Sequence, residues 1–153
     1  MNDAHSIAIV ECAPRRLASV RRQASLTTLG AIAAAAPLWE RAFTKGIEHG
    51  RPVMVLHEAA GEAFFTPPGV PVDIGVEIDA PVRDPVMSTT LSPGGRAAMG
   101  RHLGDEASIG DTHRRIRAWC AANGEQLTGQ VVLVHYWDID RTRRVTEINY
   151  LLA

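Results

Sequence analysis

The chain has 153 residues, of which 46% are hydrophobic and 22% are charged, and this balance is typical of a soluble globular domain. A chain of this length buries about two-thirds of its unfolded surface, so we expect one domain over residues 1–153 that needs no disulfide or structural metal. Sixteen Lys and Arg residues oppose seventeen Asp and Glu residues, and the net charge of −1 argues against a domain that binds nucleic acid through its phosphates.

The sequence has no segment that predicts export or membrane insertion. Its longest nearly uncharged apolar stretch, Leu29–Trp39, is too short to cross a bilayer, and the N-terminus lacks the basic start and apolar core of a signal peptide. We therefore expect a cytoplasmic protein. Cys12 and Cys120 have no CxxC spacing, and in a reducing compartment we interpret both as small buried hydrophobic residues.

The first half of the chain predicts a β-β-α-β-β unit. A turn at Ala13–Arg16 joins the first two strands, which predicts an opening hairpin. Apolar residues then recur at helical spacing, Pro37 predicts a kink, and Gly50 supplies a stop. The predicted elements are strands over 6–12 and 17–22, a helix over 28–49, and strands over 52–58 and 73–79.

The second half repeats this pattern. Its predicted elements are strands over 86–91 and 96–102, a helix over 108–123, and strands over 131–137 and 145–152. Pro14 and Pro93 in the two opening turns are 79 positions apart, and so are Gly50 and Gly129 before the third strands. A common offset between landmarks indicates an internal duplication, with pseudo-repeats over about 6–80 and 84–152.

These patterns predict an α+β fold. Two tandem β-β-α-β-β repeats would form a curved, mainly antiparallel eight-strand sheet with two main helices, and a pseudo-twofold axis between the repeats would provide a central cleft. Because side chains alternate across a strand, Val55 and His57 share one face of the third strand, and Val134 and Tyr136 share the matching face of the seventh. We predict that these four residues line the cleft. The alternative is a core tyrosine and a surface histidine.

Aromatic residues on the helices and loops are further candidates. Trp39 and Phe43 lie on the apolar side of the first helix and would stack on a planar ligand, although core packing is the alternative. Phe64 and Phe65 lie in a Gly- and Pro-rich loop, where they would either cover the pocket mouth or tether the loop. The basic segment Arg141–Arg144 has Asp138 and Asp140 alongside and is interpreted as a solvated turn; the alternative is a contact with an acidic partner.

Several short motifs, taken in order, cover nearly the whole chain: Pro14–Val20, Leu56–Glu58, Asp73–Ile78, Leu91–Ala98, His102–Gly104, Trp119 before Gly124, and Thr146–Ile148. In this order and spacing the sequence resembles the GyrI-like, AraC-type effector-binding domain family, which is related to the drug-sensing portion of BmrR-type regulators. The resemblance implies two tandem units around a cleft that binds amphipathic molecules, often cationic or aromatic.

The resemblance also identifies two departures from the family pattern. Many members carry Glu-x-Tyr in the seventh strand, where the carboxylate counters a cation or serves as a general base; the matching residues here are Val134–Tyr136, so the carboxylate is missing. Many members also continue with Pro-Tyr after the position of Gly104, where this chain has Asp105 and Glu106. We therefore assign no catalytic residue, and the resemblance does not transfer a preference for cations.

We predict a stand-alone small-molecule-binding protein that senses or sequesters an amphipathic, drug-like ligand. The alternatives are a protein that interacts with DNA gyrase and a hydrolase of reactive drug-like compounds. Six histidines show neither HExxH nor paired HxH spacing, so no metal and no other cofactor is predicted. Only five residues precede the first predicted strand, so we expect no DNA-reading module and no direct nucleic-acid binding.

Overall fold

Eight strands form one antiparallel sheet in the computed structural model, which describes residues 6–47, 50–104 and 108–153 apart from the Phe43 side chain. The strands are β1 (Ile7–Cys12), β2 (Arg16–Ala24), β3 (Pro52–Leu56), β4 (Val70–Glu77), β5 (Ser88–Leu91), β6 (Gly95–Leu103), β7 (Leu127–Tyr136) and β8 (Val145–Leu152). The helices are α1 (Leu29–Ala35), α2 (Leu38–Thr44) and α3 (Ile109–Ala122), with short 3-10 helices at Ala63–Phe65 and Arg141–Arg143. The predicted α+β class with an eight-strand antiparallel sheet is confirmed.

The strand order is β1-β6-β8-β7-β3-β4-β2-β5, so the two halves exchange their first strands. β1 pairs with β6 of the second half, and β5 pairs with β2 of the first half. The predicted opening hairpin is therefore wrong: in the described part of the chain, β2 pairs with β4 and β5 and not with β1. The turn signal correctly indicated where the first strand ends and the second begins, but it carried no information on which strand lies alongside.

This connectivity forces the sheet to curl. In a flat sheet β1 and β2 would lie six strand spacings apart, about 29 Å, yet the four-residue step from Cys12 to Arg16 spans at most about 14 Å. The turn after β1 and the turn after β5 therefore meet, and the Arg15 amide donates to Ser92 Oγ at 2.8 Å. A Cβ on Gly94 would lie 2.6 Å from Pro14 Cδ, so the approach of the two turns requires glycine.

The centre of the sheet lies between β3 and β7, where Met54 pairs with Leu133. Leu133 lies 79 positions after Met54, so the central pair joins two residues related by the offset found in the sequence. When each strand of one half is exchanged for its counterpart in the other, the result is the same strand order read from the opposite end of the sheet. That the halves arose by duplication stays a prediction.

The two faces of the sheet carry two separate apolar clusters. Met54, Leu133 and Ile148 belong to the larger cluster, which includes residues of the helices, such as Ile116. The described members of the smaller cluster all come from strands: Val10, Cys12, Leu17, Val53, Val55, Ala97, Val132, Val134, Tyr136 and Leu151. Most of these are buried although no described helix residue belongs to the cluster, so the curled sheet itself encloses this second face.

The first predicted helix is divided in two. The structure has α1 and α2 in place of one helix over 28–49, because Pro37 lacks an N–H and disfavours helical geometry at Ala36, whose ψ is 136°. The predicted end of that helix, Glu48–His49, lies outside the described residues. Among the residues that the structure describes, no helix is long and apolar enough to span a membrane. Cys12 and Cys120 are both buried, as predicted, and both are free thiols.

Candidate ligand-binding site

A cavity of about 450 Å³ opens on the helix-bearing face of the sheet, at the ends of β3 and β7. Its lining residues come from five elements of the fold: Trp39, Pro52, Met54, Gly104, His135, Tyr136, Trp137, Arg141, Arg144, Val145 and Thr146. A volume of several hundred Å³ is the size that small-molecule sites have in proteins.

A second cavity of about 120 Å³ adjoins the first, since Met54 and His135 line both. It lies between α1 and α3, where Gly30 and Ala33 leave room beside Ile109. Leu133, the partner of Met54 at the centre of the sheet, is part of its wall. Together the two cavities form a groove between the helical layers, above the centre of the sheet, and we call it the central groove.

His135 carries a polar atom that is buried in the central groove without a partner. Its Nδ1 lies 3.2 Å from Thr146 Oγ1, whereas its Nε2 has no hydrogen-bond partner and no solvent contact among the described residues. Burial lowers the pKa of His135 to about 4, so the imidazole is neutral at pH 7. A buried polar group without a partner costs free energy, and a hydrogen-bonding group on a ligand would remove that cost.

Two tryptophans give the larger cavity its aromatic walls. The Trp39 indole donates to the Ala33 carbonyl at 2.7 Å, across the break between α1 and α2, so its polar atom is satisfied within the protein. Trp137 follows β7 and is 70% exposed, with the Arg144 guanidinium 5.0 Å from its ring centre. Aromatic rings at the wall of a cavity can stack on a planar ligand.

The inner end of the groove is closed by His113, whose ring is fully buried. Tyr150 Oη accepts from Arg117 Nε at 3.1 Å and lies 2.7 Å from His113 Nδ1. The Tyr150 hydroxyl can therefore donate to an unprotonated Nδ1. Burial, together with the positive charge of Arg117, lowers the pKa of His113 to about 3. This end of the groove thus presents a neutral histidine whose orientation is fixed.

The structure brings only part of the predicted site to the groove. Trp39 and Tyr136 line the larger cavity. Val55 and Val134 lie in the cluster on the opposite face, enclosed by the curled sheet, and line neither cavity of the groove. The Phe43 side chain lies outside the described part of the chain.

His57, also predicted to line the cleft, lies on the opposite face as well. Its Nε2 is 2.8 Å from Asp73 Oδ2, and Arg21 donates to both oxygens of the same carboxylate. Burial raises the pKa of Asp73, but the hydrogen bonds from Arg21 and His57 outweigh it and hold this pKa below its usual range. His57 therefore contacts the Arg21–Asp73 ion pair and does not line the central groove.

Tyr136 lies at the end of β7 and lines the cavity, but its hydroxyl is hydrogen-bonded to another residue of the protein. The hydroxyl donates to Glu147 Oε1 at 3.0 Å, and the Arg51 guanidinium lies 4.5 Å from the ring centre. Burial raises the pKa of Tyr136, and the neighbouring Glu147 carboxylate raises it further. The ring is thus available to a ligand as an apolar surface.

Phe64 and Phe65 do not cover the mouth of the larger cavity. Phe64 is fully buried, lines the smaller cavity and packs 5.2 Å from the His113 ring. Phe65 lies under Arg114 and Arg117, at 4.0 and 4.7 Å. Of the two interpretations of this pair, the structure favours the tether.

Sequence reasoning missed Met54, His135 and Trp137, which belong to the groove, and placed Arg141 and Arg144 in a solvated turn. Met54 directly precedes Val55, and His135 lies between Val134 and Tyr136, so alternation alone would have identified both as the other face of their strands. Within the described ranges, no group of three or more His, Cys, Asp or Glu side chains is arranged to hold a metal ion.

Solved structures of similar fold include the C-terminal domain of EcmrR, with a TM-score of 0.79 and 15% identity over 97% of both chains. A cryo-EM structure of EcmrR in complex with DNA matches with a TM-score of 0.78 and 15% identity; the match covers 99% of this chain and 58% of that longer chain. SAV2435 bound to tetraphenylphosphonium matches with a TM-score of 0.62 and 9% identity over 97% of this chain and 94% of that one.

Identities this low show a common fold only. No curated protein sequence matches the chain. The model of the GyrI-like small-molecule-binding domain matches residues 5–152, which is almost the whole sequence. The chain therefore belongs to the GyrI-like small-molecule-binding domain family.

Proposed function

We propose that the protein senses or sequesters an amphipathic, drug-like molecule in the central groove. The ligand's planar apolar part would lie between Trp39 and Trp137 over Met54, and a polar group would reach His135. The groove combines a mostly apolar lining with a few convergent polar atoms, which is the usual composition of a small-molecule site.

The observation that carries this proposal is the buried Nε2 of His135, which has no protein partner among the described residues. Nearly all buried polar atoms in folded proteins are hydrogen-bonded. An exception at the wall shared by two adjoining cavities is accounted for by a ligand that supplies the missing bond. Because the imidazole is neutral at pH 7, this bond needs no charge on the ligand.

The register of β7 refines the comparison with the family pattern. The resemblance aligned Glu-x-Tyr with Val134–Tyr136, but Val134 faces the enclosed side of the sheet. His135 and Trp137, one position later, both line the larger cavity. We infer that these two residues serve the roles of the family's glutamate and tyrosine, so a neutral imidazole stands where many members carry a carboxylate.

The two alternative functions predict different behaviour in solution. A gyrase modulator would inhibit supercoiling by purified DNA gyrase. A hydrolase would turn over reactive electrophiles, and that activity would be abolished by changing His135 or Tyr136. Neither alternative has a feature among the described residues that favours it over ligand binding.

The proposal is tested by titrating the protein with 1-pyrenebutanol, a neutral amphipathic probe, and following fluorescence anisotropy. We expect saturable binding that Trp39→Ala and Trp137→Ala weaken about tenfold each, since loss of a stacking contact costs about 1 kcal/mol or more. The matched control is Ile139→Ala, because Ile139 is 85% exposed in the same segment and does not line the cavity. Equal affinity in the tryptophan variants and the control would place binding elsewhere.

A further inference from the structure

We propose that the central groove prefers aromatic ligands with an anionic group, such as a carboxylate or sulfonate, which Arg141 and Arg144 bind at its rim. This inference rests on the proposed function, because it assigns a ligand class to the same site.

The two arginines line the larger cavity from the segment between β7 and β8. Arg144 is held in place: its Nε donates to the Asp138 carbonyl at 2.9 Å, and its guanidinium stacks over Trp137 at 5.0 Å. These contacts leave its two terminal nitrogens without a hydrogen-bond partner in the part of the chain that the structure describes. Arg141 forms no ion pair with any described carboxylate.

The acidic residues of this segment, Asp138 and Asp140, accept hydrogen bonds from within the same segment. Asp140 Oδ1 accepts from the Thr142 amide at 3.0 Å and from its hydroxyl at 2.7 Å. Asp138 Oδ1 accepts from the Asp140 amide at 2.8 Å. Arg143 Nε lies 3.8 Å from Asp140 Oδ2, and Arg143 does not line the cavity. The two carboxylates thus stabilise the turn that contains the 3-10 helix, while Arg141 and Arg144 line the cavity and form no ion pair with either of them within the described residues.

Among the described residues, the lining of the larger cavity includes two arginines and neither Asp nor Glu. His135 contributes no charge at pH 7. An anionic group on the ligand would gain charge-assisted hydrogen bonds to a planar guanidinium, whereas a cation would be repelled. The apolar walls would bind the aromatic part of an anionic and of a cationic ligand equally well. The arginines at the rim would therefore determine which of two ligands of equal size binds more tightly.

The test compares three probes that share one ring system: 1-pyrenebutyrate, 1-pyrenebutanol and 1-pyrenebutylammonium. At pH 7 and low salt we expect the carboxylate to bind about fivefold tighter than the alcohol and about twentyfold tighter than the ammonium. The preference should shrink as the salt concentration rises from 0.02 to 0.3 M, because screening weakens contacts between partly exposed charges.

Variants at the rim assign the preference to particular residues. Arg141→Gln, which removes no side-chain hydrogen bond or ion pair within the described residues, should reduce the carboxylate preference at least twofold, and Arg141→Gln with Arg144→Gln should abolish it. Arg143→Gln is the control, since Arg143 is in the same 3-10 helix but does not line the cavity. Unchanged preference in the double variant would overturn the assignment.

The outcomes separate this inference from the proposed function. Tighter or equal binding of the alcohol or the ammonium would overturn the anion preference and leave the groove as a small-molecule site. Failure of all three probes to bind would overturn both.

Discussion

His57 and Tyr136 occupy corresponding places in the two halves, and each contacts a carboxylate on the neighbouring strand. His57 Nε2 lies 2.8 Å from Asp73, and Tyr136 donates to Glu147 at 3.0 Å. Asp73 pairs across the sheet with Val55, and Glu147 pairs with Val134, which lies 79 positions after Val55. An arginine from the next strand completes each network: Arg21 at 2.7 Å from Asp73 and Arg101 at 3.4 Å from Glu147.

These networks are unequal in burial, and this leads to a prediction about stability. Asp73→Asn should lower the free energy of unfolding by about 1–3 kcal/mol, because it removes charge-assisted bonds around a carboxylate that is only 9% exposed. Glu147→Gln should cost less, because Glu147 is more exposed than Asp73 and its arginine lies 3.4 Å away instead of 2.7 Å. Urea denaturation at pH 7 measures both. A larger effect at Glu147 would contradict this account.

The two neutral histidines of the groove should make the protein sensitive to acid. Their pKa values in the folded protein, about 4 for His135 and about 3 for His113, lie below the ordinary value near 6.5. As the pH falls below 6.5 the unfolded chain gains protons that the folded chain does not bind, so stability is full above that pH and is lost as the pH falls. Each histidine should contribute about 1.4 kcal/mol per pH unit.

Denaturation curves between pH 7 and pH 5 test this prediction in a range where carboxylates contribute little. The double variant His113→Asn with His135→Asn should show a flatter dependence, because an asparagine amide does not titrate. An equally steep dependence in the double variant would show that other groups cause the loss.

Introducing a carboxylate at adjacent positions of β7 should have opposite consequences. Val134→Glu places a charge in the enclosed cluster, where Val134 is 1% exposed, and should destabilise the fold by several kcal/mol. His135→Glu places the charge in the groove and should shift the probe preference towards 1-pyrenebutylammonium. Thermal unfolding and the probe titration measure the two effects. A folded Val134→Glu protein that prefers cations would show that the groove reaches the other face.

The contact between the two opening turns predicts the effect of a single methyl group. Gly94→Ala would place a Cβ 2.6 Å from the Pro14 ring and should cost about 1–3 kcal/mol of stability. Gly61→Ala is a suitable control, because a Cβ there has no neighbour within 4 Å. If both variants were equally stable, the close approach of the turns would not be needed for the curl of the sheet.

The sequence predicted the fold well because the signals it used are local. Strands and helices were located from periodicity, and Pro37 correctly indicated an interruption of the first helix, whereas the structure ends α2 at Thr44, before the stop predicted at Gly50. The partner of each strand could not be predicted, since the turn at Ala13–Arg15 is equally compatible with a hairpin and with the observed exchange. Strand pairing depends on contacts between residues far apart in the sequence.

The site was predicted only in part, for a reason that lies in the composition of β3 and β7. Both strands are apolar on both faces at the centre of the sheet, as Val53 and Met54 illustrate, so alternation did not indicate which side the helices cover. Trp39 was identified because the helix that carries it has a single apolar side, which the spacing of its apolar residues shows. Arg141 and Arg144 were missed because their approach to the cavity depends on the return of the chain into β8.

The exchange of first strands has a mechanical consequence for how the groove can open. Each half donates an edge strand to the other, so a hinge motion that separated the halves would break the pairings of β1 with β6 and of β5 with β2. The short helices α1 and α2, which are joined at Pro37, are not part of the sheet and have no strand pairing that holds them in place. We expect ligands of different size to be accommodated by movement of this helical layer over an immobile sheet, and amide hydrogen exchange should be faster there than in β3 and β7.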